Sequence, residues 1–125
     1  MGSRMPEDPR KRPARHEVLR SFRGHLRARP AAVFGALDRR LNPGAGASGH
    51  YVADSAAFLV VVQGDWWYRG EYRAVPDESG SNLEYAIVNV AQRARPLSRL
   101  TARRVLAAAP KEFQTLLKDL RIEVE

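Results

Sequence analysis

The sequence predicts an α+β domain: an antiparallel β-sheet with one short helix after its first strand and a long C-terminal helix that Pro110 kinks or divides. Three observations carry this. The hydrophobic period runs from two to about 3.6, back to two and then to 3.6 again, so strands come in a run between helices. Residues 66–92 read as two alternating segments around the turn-rich "PDESGSN", an antiparallel hairpin. Residues 97–120 repeat apolar side chains at helical spacing.

Residues 1–15 hold three prolines and five basic groups with almost nothing apolar. Such a segment cannot bury enough surface to offset the entropy of ordering, and a flexible basic tail is expected ahead of a single domain at 16–125. "EVLRSFRGHLRA" (17–28) reads as a strand, with Val18, Phe22 and Leu26 on one face and Ser21, Arg23, His25 and Arg27 on the other; Leu19 is the exception. Pro30 suits a first helical position, where its missing N–H is no loss. Val33, Phe34, Leu37 and Leu41 follow on one stripe, Asn42-Pro43-Gly44 ends the helix, and "GAGASG" reads as a flexible loop. Residues 50–64 supply one or two strands. The strands at 66–75 and 83–92 pair across the turn at 76–82. In the last helix Leu97, Leu100, Val105 and Ala108 or Ala109 are expected to face the core, continued by Phe113, Leu116, Leu117 and Leu120.

Composition removes several classes of function. There is no cysteine, hence no disulfide and no thiolate metal site. No apolar run approaches the ~20 residues of a membrane span, and no secretory signal is visible, so a cytoplasmic protein is expected. His16, His25 and His50 are isolated, and neither a metal nor a cofactor is expected. "NPGAGASGH" lacks the lysine of a phosphate loop. The net charge of +7 is uneven: residues 42–92 carry two basic and six acidic side chains, and the surplus lies in the flanks. Arginine outnumbers lysine eighteen to three, a ratio that codon bias explains.

The stretch "WWYRGEYRAV" (66–75) decides most. In an extended chain Trp66, Tyr68, Gly70, Tyr72 and Ala74 share one face and Trp67, Arg69, Glu71, Arg73 and Val75 the other. The aromatic set is expected inward and the charged set solvated. Each buried ring removes ~150–250 Å² from water, which outweighs the ~1–3 kcal/mol of a base stacked on an exposed ring. Nucleic acid is therefore disfavoured here. Tyr85, Ile87 and Asn89 fall on the same inward parity as Leu83. Polar tips among apolar walls describe a ligand cavity and a core with satisfied tyrosines equally well.

"VLRSFRGHLRARPAAVFGALD", a strand leading through an Ala/Pro-rich turn into an amphipathic helix, resembles the opening of the START-like polyketide cyclase and lipid-transfer superfamily. The hairpin "WWYRGEYRAVPDESGSNLEYAIVNV" is similar to the later strands of those proteins, and the long last helix to the one their curved sheet grips. The resemblance covers roughly residues 17–120, in a chain with fewer strands than that family's usual seven or so. It implies a hydrophobic small-molecule ligand held between sheet and helix. Carried over by position, the walls are Trp66, Tyr68, Tyr72, Tyr85, Ile87 and Asn89, and the helical lid uses Leu100, Val105 and Phe113. Two alternatives stand beside it. One is a polyanion or nucleic-acid binder using the basic tail and Arg99, Arg103 and Arg104. The other is a cyclase-like enzyme working through an acid such as Asp54, Asp65, Glu71 or Glu84. A second copy covering the sheet edge or Trp67, forming a homodimer, fits any of these.

Overall fold

The computed structural model describes residues 8–44, 50–64, 66–92 and 95–125, the side chains of Arg95 and Pro96 excepted. Residues 1–7 of the expected tail, most of the "GAGASG" loop and Asp65 lie outside them. The chain runs β1 (Glu17–Leu26), α1 (Pro30–Leu41), β2 (His50–Asp54), β3 (Leu59–Gly64), β4 (Tyr68–Asp77), β5 (Gly80–Asn89) and α2 (Arg95–Val124). The five strands form one curved antiparallel sheet in the order β1-β5-β4-β3-β2. Both helices pack on one of its faces, giving two layers around a single core.

Local chemistry explains the elements. Pro30 opens α1, whose buried side carries Val33, Ala36 and Leu37. The Tyr51 hydroxyl donates to Asp38 Oδ1 at 2.6 Å, tying the edge strand β2 to that helix. Residues 50–64 divide into two strands. The hairpin turn is tighter than expected, because Asp77 pairs directly with Gly80. Asp77 Oδ1 accepts the Ser79 N–H at 2.9 Å, and Gly80 takes φ +145°, which a side chain would oppose. Pro76 can extend β4 because that strand continues past the last β3 partner, Arg73, and its missing N–H faces no neighbour.

Three expectations are corrected. β4 begins at Tyr68, with Trp66 and Trp67 in the turn before it, so the alternation does not reach them: Trp66 is 48% exposed and Trp67 2%. A β-bulge at Leu19 re-phases β1, leaving Val18 exposed and Leu19 against the core. Of the two outcomes expected at Pro110, a division is excluded, since α2 runs through it as one helix, but the apolar face expected at its start is misplaced. Its phase is set by Phe113, Leu117 and Leu120, and extends back through Ala109, Leu106, Ala102 and Ser98. Leu97, Leu100 and Val105 consequently turn outward, with Leu97 and Leu100 more than half exposed. Small residues let the helix lie close to the sheet, and Gly24 does the same from β1, where a Cβ would run into Leu117.

The opposite face of the sheet is covered from Asp8 to Arg15. Arg12 grips Glu71 through Nε and Nη2 at 2.7–3.0 Å. Arg10 pairs with Asp8 and Asp54, and Arg15 donates to the Gln92 carbonyl. Arg69, expected on a solvated face, is 1% exposed beneath this strap and donates to Glu71 and to the Pro9 carbonyl. Leu59, Val61 and Val88 share that face and are buried too. Among the described residues no helix is long and apolar enough to cross a membrane.

Candidate functional site

The register puts Tyr72 directly across from Tyr85, on the face that carries the helices. Their rings stack with centroids 4.3 Å apart and planes 9° from parallel. Tyr85 stacks in turn on Phe113 of α2 at 5.9 Å and on Phe22 of β1 at 5.8 Å. Tyr68, two residues before Gly70, lies over that glycine; a Cβ there would collide with its hydroxyl. The space lets the Tyr68 hydroxyl reach that of Tyr85 at 2.7 Å. Trp67 meets the Tyr68 ring edge-on at 5.5 Å.

Above these tyrosines a cleft of about 440 Å³ opens between sheet and helices. Val105, Ala109, Phe113 and Leu116 of α2 form one wall and Leu41 at the end of α1 the other, with Glu112 at the rim. Burial pushes the pKa of all three tyrosines up. For Tyr68 the hydrogen bonds to its tyrosine neighbours offset part of that rise. The Glu112 charge adds to it for Tyr68 and Tyr72. The floor therefore presents neutral hydroxyls, able to donate or accept, and no phenolate. Among the described residues Glu112 is the single charged side chain on the cleft, and its helical neighbours at i±3 and i±4 (Ala108, Ala109, Thr115 and Leu116) include no cation. Among the described residues no group of three or more His, Asp or Glu could hold a metal ion.

Five of the nine residues marked in the sequence meet here: Tyr68, Tyr72, Tyr85, Val105 and Phe113. Ile87 and Asn89 face the same way but are wholly buried. Asn89 is spent on structure: its amide donates to Ser98 Oγ at 2.7 Å and its carbonyl oxygen accepts the Ala91 N–H at 3.0 Å. Trp66 and Leu100 stand in solvent, away from the cleft. Sequence reasoning placed Leu41, Ala109 and Leu116 in apolar stripes without assigning them to a site, and missed Glu112. The signal was the helical series 105, 109, 112, 116, an acid where the face is otherwise apolar. No family model, curated protein or solved structure matches this chain.

Proposed function

We propose that this chain binds a small hydrophobic or aromatic molecule in the cleft between its sheet and α2, in the manner implied by the resemblance to START-like domains. The carrying observation is the cleft itself: a stacked aromatic floor with neutral hydroxyls, apolar walls and about 440 Å³ of room. Small-molecule sites commonly have that size and that mix of apolar lining with a few convergent polar groups. Glu112 orders ligands by charge. A neutral ring system is accepted, and an anionic one has to approach an unpaired carboxylate.

Trp67, edge-on to Tyr68, is a built-in reporter. In a Trp66→Phe background, neutral N-phenyl-1-naphthylamine is expected to change its emission saturably. The sulfonated analogue, 8-anilinonaphthalene-1-sulfonate, should bind more weakly, and Glu112→Gln should narrow the gap. Val105→Trp, which projects a large ring into the cleft, should abolish binding, read here by the probe's own emission because the new ring is itself a tryptophan, while leaving the thermal transition intact. Saturation that survives Val105→Trp, or none with any neutral aromatic probe, overturns this reading.

A further inference from the structure

A second cleft, of about 590 Å³, lies on the other face of the sheet, with Arg10 and Arg12 of the strap along one side. The register sets its floor in rows. One row runs Arg23, Glu84, Arg73 across β1, β5 and β4; the next runs Ser21, Ala86, Glu71. The Ala86 methyl keeps the middle of the floor low between charged side chains.

Each carboxylate here is outnumbered. Glu71 accepts from Arg12 and also from Arg69 Nε at 2.7 Å. Glu84 accepts from Arg23 Nη2 at 3.0 Å, and its neighbour on the other side is Arg73. Arg73 is exposed, and its side chain makes no hydrogen bond or ion pair with any described residue. Buried Arg69 keeps one nitrogen, Nη2, without a partner. The charge of Arg10 is matched by Asp8 and Asp54. On this face five guanidiniums (Arg10, Arg12, Arg23, Arg69 and Arg73) thus meet four carboxylates (Asp8, Asp54, Glu71 and Glu84), and all but buried Arg69 line the hollow, where the unmatched charge sits on Arg73 and several fork donors are unused. Like charges held close repel, and a compact dianion would relieve that.

We propose that this hollow binds the phosphate monoester group of a small molecule, held by Arg23 and Arg73 from the sheet and Arg12 from the strap, with the Ser21 hydroxyl beneath. A monoester carries about −1.5 to −2 near neutral pH and three acceptor oxygens, which suits planar forks arriving from two sides. A nucleic-acid backbone fits less well: its phosphodiesters are singly charged and spread along a continuous track, whereas the strap bounds this site. The site lies on the opposite face of the sheet from the tyrosine cleft and does not depend on it.

The test is calorimetric titration at fixed ionic strength with phenyl phosphate, methyl phenyl phosphate (the matching diester) and a single-stranded oligonucleotide, plus sedimentation with vesicles containing phosphatidate. Phenyl phosphate is expected to bind saturably and the diester much more weakly. Arg73→Gln, at an exposed position, should weaken phenyl phosphate at least about tenfold, as loss of a charged hydrogen-bond donor does. Arg103→Gln on α2 should change nothing. Phosphatidate vesicles that capture the protein through Arg73 would name a lipid headgroup as the source of the same monoester. Equal binding of monoester, diester and oligonucleotide, or equal loss in Arg103→Gln and Arg73→Gln, would reduce the site to general charge attraction and overturn it. No heat with phenyl phosphate on folded protein overturns it as well.

Discussion

Phe113→Ala should cost about 3–5 kcal/mol of folding stability. The ring is 2% exposed and sits between Phe22 at 5.4 Å and Tyr85 at 5.9 Å. Its removal opens a void where sheet and helix meet, and the surrounding rings cannot collapse to fill it without breaking the stack on Tyr72. Against a total of about 5–15 kcal/mol for a domain that loss is large, and the melting temperature should fall by roughly 10–20 °C. Urea denaturation of the two proteins measures it. A change below about 1 kcal/mol would mean that α2 is not seated on this stack. Phe113→Leu, keeping most of the volume, should lose much less.

Glu71→Ala should be comparably damaging, at about 3–5 kcal/mol, through charge rather than volume. It leaves Arg69, 1% exposed, with no carboxylate and removes the anchor of Arg12. If the strap then lifts and lets water reach Arg69, the loss falls to the low end of that range, and backbone hydrogen exchange at residues 10–15 reports the lifting. Replacing the pair together, Arg69→Met with Glu71→Leu, is expected to recover most of the stability, because no buried charge is then left alone. A Glu71→Ala protein as stable as the parent, with an unchanged strap, would show that Arg69 is solvated in solution.

The same carboxylate predicts an acid response. Burial would raise the Glu71 pKa, but the hydrogen bonds and charges of Arg12 and Arg69 outweigh it and hold it below its ordinary value of 4.5. A carboxyl with a lowered folded pKa stabilises fully above its unfolded value and loses that contribution as pH falls through the folded one. Stability and strap protection should therefore decline together in the acid range below the ordinary carboxylate value. Arg69→Met with Glu71→Leu should flatten that part of the profile.

Much of the fold was legible because the strongest patterns were local. The bounds of α1 follow from Pro30 at one end and Asn42 at the other, and the β4–β5 pairing from two alternating runs around Asp77 and Gly80. The misreadings have one kind of cause, a phase fixed by distant contacts. Trp66 and Trp67 exchanged roles because a turn, invisible to parity, delays the strand until Tyr68. Leu97, Leu100 and Val105 are larger and more apolar than Ser98 and Ala102. Yet the smaller residues face in, because the phase comes from Phe113 and beyond and the helix does not break at Pro110. The site was half legible for the same reason. Its sheet residues follow from alternation within β4 and β5. Its helical wall depends on how α2 is rotated, and Glu112 on which acid that rotation brings to the cleft. The covering of the outer face by Asp8–Arg15 could not be read at all, since the ion pairs that hold it to the sheet, Arg10–Asp54 and Arg12–Glu71, join residues remote in sequence.

The strand order has a kinetic consequence. β1 pairs with β5, so Glu17 meets Asn89 across about seventy intervening residues, and β1 lacks its sheet partner until nearly the whole sheet exists. Closing so large a loop before any reward from pairing slows the search. The arrival of the first strand at the last is therefore the expected slow step of refolding, following the local β4–β5 ribbon.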